Sequence, residues 1–265
     1  MAGTLTERLG DVVLDALASA GAYFLFAGRA LVGLVRPPFE VREVLRQVYV
    51  LGWRSAPLIL TSGFAVGVVL SMHTRATLER FGAIALIPTG LGVVMIRETG
   101  PLVAGLLVAG RAGAGIGAEL GAMRVTEQID ALEAIAVDAF KYLAVTRILA
   151  CMLVLPILTT LMDFAGILGG FAAEAAATGM SWSLYLHRAF SLIGYADFVT
   201  ATLKTIVFGF IIGSVAAYLG FNATRGTEGV GEASTRSVVA ASILLILSDV
   251  VLVKLIFLLF PQIAS

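Results

Sequence analysis

The sequence predicts an all-α polytopic membrane protein of about five transmembrane helices, organised as a single domain over residues 1–265, and three observations predict it. Of the 265 residues, 59% are hydrophobic and only 14% charged, whereas soluble chains carry roughly a quarter charged residues. Mean hydropathy is +0.98. Several weakly charged runs reach the roughly 20 residues that cross a hydrocarbon core about 30 Å thick. The 18 basic and 18 acidic residues cancel, so the chain lacks the basic footprint that nucleic-acid binding requires.

The elements follow in order from where charge and proline interrupt the apolar sequence. The opening MAGTLTERLGD has acids and no short apolar core before a cleavage site, so it does not read as a secretory signal. Ala16 to Gly28 is uncharged but too short to span, and reads as an interfacial or re-entrant helix ended by Pro37-Pro38. In EVREVLRQVYVLGWRSA, Val41, Val44, Leu45, Val48 and Leu51 share one face, with Arg42, Glu43 and Arg46 elsewhere. That pattern predicts a helix lying along the membrane surface, so residues 1–54 are expected to be interfacial and 55–265 to form the bundle. The five spans are Ser55–Thr74, Phe81 to beyond Gly110, Tyr142–Ala173, Phe198–Phe221 and Val238–Phe260. Glycines recur four apart at Gly63/Gly67, Gly113/Gly117/Gly121, Gly166/Gly170 and Gly209/Gly213, a spacing that lets helix backbones approach closely in lipid.

Cytoplasmic loops carry the excess of Lys and Arg. With five spans, twelve of the 18 basic residues fall on the side of the N-terminus and only Arg75, Arg80 and Arg188 on the other. The N-terminus is therefore expected in the cytoplasm and the C-terminus outside. The segment Ala177–Asp197 is expected flat on the outer surface, with Met72, Trp182 and Tyr185 as interface anchors.

The connection AELGAMRVTEQIDALEAIAVD, Ala118–Asp138, is unlike the apolar blocks around it. Thr126 is placed to cap a helix, with Glu127 and Asp130 in its first turns, where negative charge suits the dipole. Ile129, Leu132 and Ile135 or Ala136 recur on one face; Glu127, Asp130 and Glu133 recur on another. Spacing alone leaves two readings: a solvated connector, or a docking helix for a partner with a basic groove.

Ionisable residues inside spans normally face an interior and find partners. Arg97 and Glu98 are adjacent, so on a helix they point about 100° apart and each needs a partner elsewhere. Glu98, Lys204 and Asp249 lie on three different spans, and with Arg97 their charges sum to zero. A buried network holding the spans around an apolar cavity is expected. Asp163 is expected to hydrogen-bond across helices, Lys254 to snorkel to the outer interface and Cys151 to act as a small buried hydrophobe. His73 and His187 are too isolated for a metal site, which needs three or four ligands. No G-x-x-x-x-G-K-[ST] phosphate loop occurs, so ATP hydrolysis is not expected of this chain.

AGRAGAGIGAELGAMRVTEQIDALEAIAVDAFKYL, preceded by RETGPLVAGLLVAGR, resembles the signature of the MlaE-type permeases, membrane subunits of bacterial ABC systems that move phospholipid between the inner and outer membranes and maintain lipid asymmetry. The likeness is densest over Arg97–Arg147; Thr99, Ala139 and Thr146 depart from the residues usual there. The resemblance implies that Glu127, Gln128, Asp130 and Glu133 belong to a coupling helix near 126–137, seated in a cleft of a cytoplasmic ATPase. It implies that Glu98, Lys204 and Asp249 lie close to a lipid pathway, with Arg97 the fourth member of their charge network. It also implies inner-membrane location and four protein partners: a second copy of the chain, a cytoplasmic ABC ATPase dimer, a periplasmic MCE-type lipid-binding protein and a small cytoplasmic accessory subunit. ATP would be used by the ATPase, and no cofactor is implied for this chain. Two other classes stay open: a secondary transporter using Glu98, Asp163 or Asp249 as an ion site, and a scaffold that only recruits a cytoplasmic protein.

Overall fold

The computed structural model describes residues 5–37, 39–224 and 226–259; Pro38, Arg225 and the expected end of the last span at Phe260 lie outside them. The described chain is all helical. We number the helices α1 (Leu5–Val35), α2 (Val41–Leu78), α3 (Ile84–Val125), α4 (Gln128–Ala134), α5 (Phe140–Thr178), α6 (Trp182–Ala189), α7 (Tyr195–Phe221) and α8 (Gly226–Leu259). The chain is a polytopic membrane protein, and the five expected spans fall within α2, α3, α5, α7 and α8.

The N-terminal region departs from expectation twice. Helix α1 is 31 residues long, and its stretch Leu17–Val35 is a sixth segment long and apolar enough to cross a membrane. The uncharged run looked short because Arg29 interrupts it. Its guanidinium lies over the Phe140 ring, 4.2 Å from the centroid, a cation–π contact that lets the charge sit within the helix. The surface helix expected at 41–51 is likewise not a separate element. It runs without a break into the first span as the 38-residue α2, roughly 57 Å long against a core of about 30 Å.

The face that this segment turns to the bundle begins with polar residues. Helix α2 buries Glu43, Gln47, Leu51, Ser55, Ile59, Gly63, Gly67 and Ser71, one residue in four, while Val41 and Leu45 are exposed. Glu43 can face inward because Arg46 donates to it at 2.9 and 2.8 Å and Gln47 at 2.8 Å, so its charge is paired where it loses water. In lipid the apolar face is free to point outward.

The glycine spacing works as expected. A Cβ at Gly67 would overlap the Gly166 carbonyl oxygen, and one at Gly169 the Phe64 carbonyl, so α2 and α5 meet backbone to backbone. Gly209 and Gly213 let α7 meet α5 at Cys151 and Ile148, and Gly117 lets α3 meet α8 at Ser237 and Ala233. Around these seams one apolar core gathers Ile59, Ile148, Leu155, Phe208, Ile212 and Leu245. Helix α8 turns Ile243, Leu247, Val250 and Leu258 outward, as a lipid-facing helix does.

The segment after α5 folds inward. Tyr185 and Ala189 of α6 are fully buried with Leu91, Met95 and Ile96 of α3. Tyr185 is thus a core residue, whereas Met72 and Trp182 stay exposed. Aromatic edges fix the position: Phe171 meets Trp182 at 4.7 Å and Tyr185 at 5.5 Å between ring centroids.

Candidate functional site: a three-helix charge junction and an acidic connecting helix

Arg97 and Glu98 sit in a widened π turn, Met95–Thr99, in the middle of α3. Pro101 has no N–H, so the carbonyl of Arg97 four residues earlier loses its ordinary helical donor. Lys204 of α7 supplies the replacement. Its ammonium donates to the Arg97 carbonyl at 3.1 Å and pairs with Glu98 Oε2 at 2.7 Å and Asp249 Oδ1 at 2.8 Å. A side chain only 1% exposed is therefore held by two hydrogen bonds to α3 and an ion pair to α8.

The expected set thus assembles in part. Glu98, Lys204 and Asp249 come together, while Arg97 joins them only through its backbone. Its guanidinium turns to Asp197 at the start of α7, with Nε 2.7 Å from Oδ1. The other carboxylate oxygen of Asp197 accepts the Gly194 N–H at 2.8 Å, capping α7. Sequence reasoning placed Asp197 in a surface segment. The available signal was its spacing, two helical turns before Lys204 on the same face. A cavity of only about 20 Å³ opens beside Glu98 and Lys204, between α7 and Phe257 of α8.

Asp163 stays outside this junction. It is buried on α5, with Oδ1 lying where a Cβ of Gly100 would otherwise be and without a hydrogen-bond partner. Two further ion pairs, each with one buried member, were not foreseen. Glu174, fully buried on α5, takes Ser71 at 3.0 Å and the guanidinium of Arg75, fastening the end of α2. Arg147, 1% exposed on α5, pairs with Glu119 of α3 at 2.8 Å and donates to the Leu143 carbonyl at 2.9 Å. Both arginines were counted as loop cations, because one-dimensional spacing cannot tell a span's last turn from the loop that follows.

The acidic connection forms α4, seven residues long. Its cap is Glu127, in a left-handed conformation with φ 59°, and not Thr126. The Thr126 hydroxyl instead donates to the Ala122 carbonyl at 2.8 Å, closing α3. Ile129 is buried and Leu132 packs against the core, so one face is seated on the bundle. Arg124 pins Asp130 at 2.6 Å. Glu127, Gln128, Asp130 and Glu133 face outward. Ile135, expected on the seated face, is 70% exposed, because α4 ends at Ala134 and the chain reverses at Ala136 with φ 62°. The outward surface is therefore carboxylates beside one bare isoleucine.

A bundle of long apolar helices, pinned by ion pairs at mid-span and carrying a short acidic helix seated on it by one face, defines a polytopic membrane protein. Comparison with known proteins narrows the class. The profile described as Permease MlaE matches residues 44–255, and the chain belongs to that family. It is similar to a probable ABC transporter permease protein of Rickettsia prowazekii, 36% identical over 96% of this chain and 98% of that one. It is also similar to the intermembrane phospholipid transport system permease protein MlaE of Haemophilus influenzae, 32% identical over 95% and 97%. A third relative is the Arabidopsis thaliana protein trigalactosyldiacylglycerol 1, chloroplastic, 30% identical over 88% of this chain and 67% of that one.

Proposed function

We propose that this chain is the permease subunit of an ABC transporter that moves phospholipid between the inner membrane and a periplasmic lipid-binding partner of the MCE type. Two copies would form the lipid pathway, and a cytoplasmic ATPase dimer, with its small accessory subunit, would supply the energy from ATP. In this reading α1 lies in the membrane without crossing it, and α2, α3, α5, α7 and α8 make five crossings, with the N-terminus and α4 in the cytoplasm and the C-terminus in the periplasm.

The observation that carries it is α4, a helix anchored by Ile129 and the Arg124–Asp130 pair with Glu127, Gln128 and Glu133 free to contact a partner. Its acidic, isoleucine-tipped surface fits a basic cleft with an apolar floor. Because α4 joins α3 directly to α5, a push on it acts on the helix that carries Arg97 and Glu98 and on the helix locked to α2. Lys204 is the hinge of this mechanism. Its two hydrogen bonds and its ion pair with Asp249 reach two other helices, and exchanging one of these contacts lets the spans part without leaving an ammonium bare in a dry interior. The phospholipid would pass along the apolar surfaces of the spans, with the charges close to the path.

Affinity purification from native membranes tests this reading. The unaltered chain is expected to bring down an ATPase and phospholipid; changing Glu127, Asp130 and Glu133 together to Ala is expected to lose the ATPase while the chain still inserts. An ATPase retained undiminished by the triple variant contradicts the role given to α4, and no ATPase with either chain contradicts the ABC assignment.

A further inference from the structure

A groove of about 300 Å³ opens where the end of α1, the start of α2 and the first turns of α5 meet. Leu34, Val44, Leu45, Leu149 and Leu153 give it apolar walls. It shares no residue with the junction at Lys204. The groove is built by packing: a Cβ at Gly33 would lie 2.8 Å from Val145 Cγ2, so α1 rests directly on the π turn Phe140–Val145 that opens α5. Its volume matches roughly ten water-sized groups, the bulk of much of one acyl chain.

One end of the groove is polar and positive. Lys141 lines it and donates to the Arg36 carbonyl at 2.6 Å, which positions the ammonium and leaves it two further donors. The exposed side chain of Arg36 adds a second cation beside the lining; the nearby carboxylates are Glu40 in the lining and Asp138, whose Oδ1 is engaged by the Lys141 backbone N–H at 3.0 Å. Glu43, the next carboxylate along, is already engaged by Arg46 and Gln47. Basic pockets between helices at the membrane surface take anionic head groups. We infer that this groove is a fixed site for one anionic phospholipid, its phosphate on Lys141 and one acyl chain between Leu45 and Leu149. The lipid wedges α1 and α2 against α5 and is distinct from the lipid that is moved, which places its head group at the one cationic end and leaves the junction untouched.

The test places a photoreactive residue in the groove, Leu45→p-benzoylphenylalanine, in the full chain with the partners that co-purify, in bilayers of equal phosphatidylglycerol and phosphatidylcholine. After irradiation the adduct is read by mass spectrometry. The expected adduct is a phospholipid enriched about fivefold in phosphatidylglycerol, the preference one surface cation confers. Lys141→Glu is expected to abolish the enrichment, Lys141→Arg to keep it, and Leu149→Trp to reduce the adduct by filling the groove. An adduct with the composition of the bilayer shows only surrounding lipid and overturns the site. So does enrichment that survives Lys141→Glu, or an adduct to a polypeptide, which makes the groove a seat for a partner's helix.

Discussion

Lys204 is the residue on which three helices depend, and its chemistry sets what substitutions there do. Its ammonium balances Glu98 and Asp249, so Lys204→Ala leaves a buried carboxylate without its cation. Breaking such a pair from one side costs about 3–5 kcal/mol; the half-exposed Glu98 keeps access to water, which points to the lower end. Thermal unfolding in detergent is expected to show that loss, and Lys204→Ala with Asp249→Asn is expected to recover part of it. A double variant no more stable than Lys204→Ala alone contradicts the pairing. Pro101→Ala probes the same junction from the backbone: a restored N–H competes for the Arg97 carbonyl, and lipid transport is expected to fall about tenfold with little change in unfolding temperature. The sequence made Glu98, Lys204 and Asp249 legible, because charge within a span demands a partner. It did not make legible the partner of Arg97, since Asp197 looks like a loop residue until α7 is seen to begin at Tyr195.

At the scale of elements, the α2–α5 seam decides how tightly the bundle closes. Gly67 lies against the backbone of Gly166, which cannot move aside as a side chain can. Gly67→Val is therefore expected to destabilise by about 1–3 kcal/mol or more, seen as a lower unfolding temperature, whereas Gly90→Ala, facing open space, should be near neutral. Equal effects at the two positions contradict the close packing. The spacing of four was readable in advance because it is a local pattern with a specific use in lipid. The first half of α2 was not readable in the same way. Its apolar face was expected against the membrane, and Leu45 does face out; the pattern did not show that Glu43 and Gln47 face in or that the helix runs unbroken into the span. Amphipathicity gives two faces but does not say which solvent each meets when one solvent is lipid. In α4 the acidic face was legible, but the left-handed backbone at Glu127 and Ala136, which sets where the helix starts and where Ile135 goes, has no signal in residues that are not glycine.

For the whole molecule, hydropathy sufficed for five spans because nothing else explains runs of that length and composition. It fell short for the sixth long apolar helix because Arg29 breaks the run, and the Phe140 ring that accommodates it is more than a hundred residues away. Long-range pairs of this kind, like Arg75 with Glu174 and Arg147 with Glu119, tie the bundle's ends and are invisible to any local window. The bundle that results is seamed by glycine along its length and pinned by paired charges, with α4 a short acidic helix set between two long spans. That arrangement suits a body whose spans move as units under a force delivered at one point. The most direct test is transfer of a fluorescent phospholipid between proteoliposomes carrying the co-purified complex and a soluble form of the proposed lipid-binding partner, with and without ATP. Transfer that requires ATP, and that falls at least tenfold when Glu127, Asp130 and Glu133 are changed to Ala, is the predicted result. Transfer at the same rate without ATP, or undiminished in the triple variant, would contradict it.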